Sequence, residues 1–254
     1  MMFSDNIIGP KSDNALYEFA MQIDPTANFG VIHDFYPTNK SQYNGLQKLN
    51  INKSRLGIPF MQFGECLHGI GSYKGSIFPQ SIGMSASFDT DLVYKVGRAI
   101  GSEARSIGIH ACLSPVLDLA LEPRWGRTQE AWGEDMLLTS IMGVSMASGL
   151  SKNGSWADSD AVAPVMKHFA AYGSPQGGIN GAPSMVLGTR QVVMNMLRPF
   201  KAVVDLGGVK GTLMAYSELD SIPSHVHPML YAALEDWGFD GFGAYLYSLA
   251  KHIN

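Results

Sequence analysis

Between residues 122 and 135 the chain places two arginines, two tryptophans, three glutamates and an aspartate in fourteen positions, Glu122-Pro123-Arg124-Trp125-Gly126-Arg127-Thr128-Gln129-Glu130-Ala131-Trp132-Gly133-Glu134-Asp135. Guanidinium forks donate in fixed directions to hydroxyls and carboxylates, and indole faces stack on the apolar C–H faces of sugar rings. That set of groups suits a polyol ligand. No helix or strand period fits the segment, and Gly126 and Gly133 let the backbone turn tightly, so it reads as a loop. Arg124 and Glu130 read as supports that pair inside the loop and fix Arg127. Trp125 and Trp132 serve either as sugar platforms or as core filler.

Two other clusters carry less. His225-Val226-His227 has metal-ligand chemistry but no third ligand at a convincing spacing, so it reads as solvent-facing loop and no metal or cofactor is expected. Gly69-Ile70-Gly71-Ser72-Tyr73-Lys74-Gly75 lacks the glycine and lysine spacing of a dinucleotide or phosphate loop.

The elements that must position such a loop alternate between two periods. Short apolar runs at Gly30–His33, Ile58–Phe63, Ile109–Leu113, Val162–Phe169, Gly211–Tyr216 and from Phe239 read as strands buried on both faces, as in a parallel sheet. Helices are predicted at Gln42–Leu49, from an Asp89 cap to near Gly108, at Met136–Leu150, at Thr189–Leu206 and at Val226–Trp237. Residues 1–29 read as an irregular segment with at most one short helix near Ala15–Met21. Strand and helix in alternation argue for parallel βα units, hence an α/β fold of the TIM-type (β/α) barrel. About six of the eight strands of a closed barrel are visible, so residues 30–254 are expected to form a partial, truncated barrel.

Composition bounds the rest. A chain of 254 residues, 46% hydrophobic and 16% charged, is expected to fold as one well-cored domain. A net charge of -4 with no Lys/Arg cluster disfavours nucleic acid. No apolar run reaches the roughly 18 residues that span a bilayer, and no export signal is visible at the start. Cys66 and Cys112 are too few for a disulfide scaffold and are expected to be free and buried. Sequons at Asn39, Asn52 and Asn153 mildly favour a secreted parent protein.

The Arg-Trp-Gly-Arg run at 124–127 closely resembles the signature of glycoside hydrolase family 3, which contains β-glucosidases, β-xylosidases and exo-β-glucanases. Four further stretches resemble that family in the same order: Gly64-Glu65-Cys66-Leu67-His68-Gly69, Phe78-Pro79-Gln80, Lys167-His168-Phe169-Ala170-Ala171-Tyr172-Gly173 and Met214-Ala215-Tyr216-Ser217-Glu218-Leu219-Asp220. The resemblance runs from about residue 30 to 242. It implies an N-terminal barrel domain, a retaining β-glucosidase activity on small or oligosaccharide β-glucosides, and frequent secretion. β-Xylosides are the alternative substrate.

By the same resemblance Glu65 accepts hydrogen bonds from sugar hydroxyls, Arg127, Lys167 and His168 hold others, and Tyr216 lines the same subsite. Each lies at the C-terminal end of a strand or on the loop that follows, where barrels carry function. Without the resemblance Lys167 reads as a solvated charge and His168 as a core histidine. Neighbouring strand residues point to opposite faces, so both reach one ligand only if the strand ends or bulges there. The family nucleophile is an aspartate following Trp237-Gly238-Phe239-Asp240-Gly241-Phe242. Here Leu246 stands at that position, and the acid/base carboxyl is expected beyond the matched region. No catalytic carboxyl is therefore assigned, and the alternatives to an enzyme are a sugar-binding pseudoenzyme or an inactive fragment with uncovered strand edges.

Overall fold

A computed structural model describes residues 2–4, 30–33, 40–71, 75–185 and 187–244. Leu246, Asn39 and the predicted helix at 15–21 lie outside the described residues. Seven parallel strands, β1 (Met2–Ser4), β2 (Val31–His33), β3 (Met61–Gly64), β4 (Ala111–Cys112), β5 (Ala163–Phe169), β6 (Gly211–Met214) and β7 (Phe242–Ala244), are neighbours in chain order. The sheet curls enough for Phe63 on β3 to meet Phe242 on β7, with ring centroids 5.5 Å apart. This is a TIM-type barrel that is incomplete, with seven strands among the described residues where about six were visible. The addition is β1, Met2–Ser4, which falls in the segment that read as irregular.

Helices cover the outer face: α1 (Lys40–Lys53), α2 (Thr90–Ser106), α3 (Met136–Ser151), α4 (Arg198–Leu206) and α5 (Pro228–Asp236). Aspartate caps start two of them. Asp89 accepts from the Leu92 N–H at 2.9 Å and Asp135 from the Leu138 N–H at 2.7 Å, satisfying donors that the first helical turn leaves unpaired. α2 lies against α3 so closely that a Cβ on Gly97 would come within 2.8 Å of the Met146 carbonyl oxygen, and one on Gly149 within 2.5 Å of that of Tyr94. Any larger residue at either position forces these helices apart. Among the described residues no helix is long and apolar enough to cross a membrane.

The helix expected from Thr189 to Leu206 is interrupted. Thr189–Gln191 makes one turn, Val192–Met196 is π-helical, and α4 begins only at Arg198. Pro199 is the cause: it donates no backbone hydrogen bond and its ring displaces the carbonyl four residues back, so the ladder loosens and the Leu197 N–H bonds to the Val192 oxygen at 2.9 Å. β3, expected to begin at Ile58, starts at Met61, since Pro59 cannot donate into a ladder. His225 is exposed as expected of a loop, but His227 is buried, turned inward as α5 begins at Pro228.

The cysteines are buried but not free. Gly64 pairs with Cys112 across β3 and β4, and Cys66, two residues beyond Gly64, forms a disulfide with Cys112 at a Cα–Cα distance of 5.4 Å. Two residues 46 positions apart become neighbours only through strand register, which spacing alone does not reveal. Closing a loop of that length removes on the order of 4 kcal/mol of unfolded-chain entropy.

Candidate functional site

β3 ends at Gly64 and Glu65 leaves the sheet at its C-terminal rim. Two strands away Lys167, on β5 and only 2% exposed, sends its ammonium to the Glu65 carboxylate at 2.7 Å. The Glu65 side chain remains 38% exposed, so the pair joins a dry cation to a wet anion. His33, the last residue of β2, lies 3.9 Å from the other Glu65 oxygen.

The bulge required for Lys167 and His168 to serve one site is present. Pairing with β6 steps from Lys167–Leu213 to Phe169–Met214 and passes over His168. The His168 ring is locked at both nitrogens. Nδ1 is 2.8 Å from Asp118 and Nε2 is 2.9 Å from an Arg127 amino group. A guanidinium only donates, so Nε2 is the acceptor, Nδ1 carries the proton, and the imidazole is neutral. Burial, joined by the charges of Arg127 and Lys167, holds its pKa well below the ordinary histidine value.

Asp118 was not anticipated, and it organises this corner. After β4 the chain stays paired to β5, with the Leu117 N–H donating to the Lys167 oxygen at 2.6 Å and the Lys167 N–H donating to the Pro115 oxygen at 3.0 Å. This register sets the Asp118 carboxylate beneath His168, where it also accepts from the His168 and Tyr172 backbone N–H groups at 3.0 Å each. Burial pushes its carboxyl up to about 7, against the pull of those amides and of the Arg127 and Lys167 charges. A signal existed: Asp118 is the one charged residue in the apolar run Val116–Leu121, and a buried acid must be partnered.

Arg127 follows Gly126, whose φ of +82° makes the turn that delivers it. Its Nε and Nη2 form a bidentate pair with Glu130 at 2.7 and 2.8 Å, as expected of a support, and its guanidinium lies over the Trp125 and Tyr172 rings at 5.8 and 5.5 Å. Glu130 is held below the usual carboxylate range: burial would raise it, but Arg127 outweighs that effect. Arg124 pairs with Glu122 at the surface instead of bracing Arg127. Both indoles of the loop are core filler, with Trp125 and Trp132 each 1% exposed. Tyr216, two residues past β6, packs its ring on Tyr172 and near His168, at 5.5 and 6.3 Å.

A cleft of about 280 Å³ opens over these groups. Glu65, Lys167, Arg127 and Glu130 line it together with Leu67, Ile70 and Ile77 from the loop after β3, while His168 and Tyr216 stand outside its lining. The volume lies just under the span of roughly 300–1,000 Å³ common for small-molecule pockets. Among the described residues no group of side chains could hold a metal ion. Adjacent fixed donors and an acceptor of opposite charge match neighbouring hydroxyls, each of which donates and accepts.

A parallel βα barrel with its polar side chains gathered at the strand ends defines a barrel protein of the enzyme-bearing kind. The glycosyl hydrolase family 3 N terminal domain matches residues 26–243, and the chain belongs to that family. A beta-xylosidase of Formosa agariphila is 35% identical over 197 residues, covering 74% of this chain and 27% of that protein. A periplasmic beta-glucosidase of Salmonella typhimurium is 34% identical over 190 residues, covering 74% and 24%. Among solved structures, a β-glucosidase from Erythrobacter marinus superposes with a TM-score of 0.85 at 30% identity, covering 92% of this chain and 32% of that one. The Listeria innocua beta-glucosidase in complex with glucose gives 0.84 at 28%, covering 95% and 34%. The chain thus spans about a quarter to a third of the length of these relatives.

Proposed function

We propose that this chain carries the sugar-holding part of a retaining β-glycosidase site and binds a terminal β-glucosyl unit without hydrolysing it. The observation that carries the reading is the Lys167–Glu65 pair, a buried ammonium presented to a solvent-reachable carboxylate on the floor of the cleft. Lys167 donates to one ring hydroxyl, Glu65 accepts from its neighbour, and Arg127 offers its Nη1 amino group to a third. His168, with both nitrogens engaged, acts through Arg127 rather than on the sugar. Tyr216, outside the lining, backs the subsite by packing on Tyr172, over which the Arg127 guanidinium lies.

Turnover needs two carboxyl groups about 5 Å apart, one nucleophile and one acid/base. Glu130, ionised and clamped by Arg127, is no proton donor, and Leu246 cannot attack a sugar carbon. A β-glucosidase activity is therefore proposed only for a protein in which both carboxyls are supplied.

A second reading, a xylosyl unit, is favoured by the beta-xylosidase relative. Calorimetric titration with D-glucose and D-xylose, beside an assay with the p-nitrophenyl β-glycosides, tests both. Saturable binding without release of nitrophenol is expected, and tighter binding of xylose selects the second reading. A folded chain that binds neither sugar contradicts the proposal.

A further inference from the structure

We propose that the Cys66–Cys112 disulfide is a positioning element of the cleft, holding the Glu65 carboxylate against the Lys167 ammonium. The proposal rests on the sugar-holding reading of that pair. Glu65 sits outside the ladder: the last sheet bond at this strand runs from the Leu113 N–H to the Gly64 oxygen at 2.9 Å, and the loop is next tied by the Phe78 N–H to the His68 oxygen at 2.7 Å. Between those bonds Cys66, the residue after Glu65, is joined covalently to the end of β4.

The bond is also placed to support the other wall. Both cysteines are fully buried in one apolar cluster with Ile70 and Trp132. Ile70 lines the cleft, and Trp132 lies two residues from Glu130, the clamp on Arg127. A rigid tie at this point limits the backbone from which a long, half-exposed glutamate reaches, so the carboxylate waits where the sugar needs it and less freedom is lost on binding.

The test compares the oxidised protein with Cys66→Ala/Cys112→Ala and with Cys66→Val/Cys112→Ala, which restores lost volume, at a temperature where all three are folded by circular dichroism. Two quantities are read: glucose affinity, and amide hydrogen exchange of residues 65–70. The expected result is an affinity about tenfold weaker in both variants, the size of one charge-assisted contact made less often, with faster exchange confined to that loop. Lys167→Met then weakens binding less in the cysteine-free background than in the wild type, because both changes disable the same pair. Unchanged affinity and exchange, or losses that simply add, overturn the proposal. If the oxidised wild type binds no sugar, the sugar-holding reading fails, and the exchange comparison alone decides whether the bond orders the Glu65 loop.

Discussion

Asp118→Ala lowers the stability of the chain by about 3–5 kcal/mol, the range for stripping one partner from a buried charge-assisted network. Three donors converge on this carboxylate, the His168 Nδ1–H and the backbone N–H groups of His168 and Tyr172, and the side chain is fully buried. Alanine leaves all three donors without an acceptor and without room for bulk water. Equilibrium urea unfolding reads the change as a lower midpoint at unchanged slope, and a loss below about 1 kcal/mol would show that the network is not holding this corner. Proton linkage gives a second signature. The Asp118 carboxyl is raised in the folded state, so its contribution to stability falls as pH climbs from about 4 to about 7. The His168 pKa is lowered, so its contribution is present above the unfolded value near 6.5 and is lost as pH falls below it. The two slopes oppose in the wild type. In Asp118→Asn, which removes the titrating carboxyl and its opposing slope, stability rises more steeply between pH 5 and 7 than in the wild type, driven by His168 together with His110, whose pKa burial lowers to about 4.

Lys167→Met weakens glucose binding roughly 10–100-fold while leaving the fold within about 1 kcal/mol of the wild type, since methionine keeps the apolar stem that the 2%-exposed lysine packs into β5. Glu65, 38% exposed, takes water in place of the ammonium and stays solvated. What is lost is a fixed cation, worth about 1.5–3 kcal/mol in a hydrogen bond to a hydroxyl, or roughly 10–100-fold in affinity. A ligand of roughly twelve heavy atoms at about 0.3 kcal/mol each binds near the millimolar range, so the loss moves half-saturation to tens of millimolar or beyond, a range that a chemical-shift titration reads. Retained millimolar binding by the folded variant would remove Lys167 from the site.

Much of the frame was legible because the physics behind it is local. Alternating apolar runs and helical stripes predicted the sequential parallel sheet, and Asp89 marked its helix start through a single side-chain acceptor. The strand ends carried Glu65, Lys167 and His168 to one rim, and the demand for a bulge between the last two followed from strand geometry alone. What escaped depends on register and on contacts across the fold. The disulfide needs Gly64 opposite Cys112, and Asp118 needs the Val116–Lys167 bridge to carry it under His168. Trp125 and Trp132 could not be sorted between sugar platform and core until the loop's direction was known. The small sheet of Ser184–Met185, Glu218–Leu219 and Ile222–Pro223 consists of two-residue pieces, below the length at which alternation exists. That both His168 nitrogens have protein partners was not legible either, since Asp118 and Arg127 reach the ring from a separate segment of the chain.

The most direct test is to titrate the isotopically labelled chain with D-glucose while following the Lys167 ammonium and the Arg127 Nε–H by nuclear magnetic resonance. Both signals shifting together and saturating at one concentration, with the His168 Nδ1–H resonance still present at saturation, is the result expected of a sugar held by Lys167, Glu65 and Arg127 above a neutral imidazole. Glucose that leaves both signals unmoved while the protein remains folded would contradict the claim that this cleft holds a sugar.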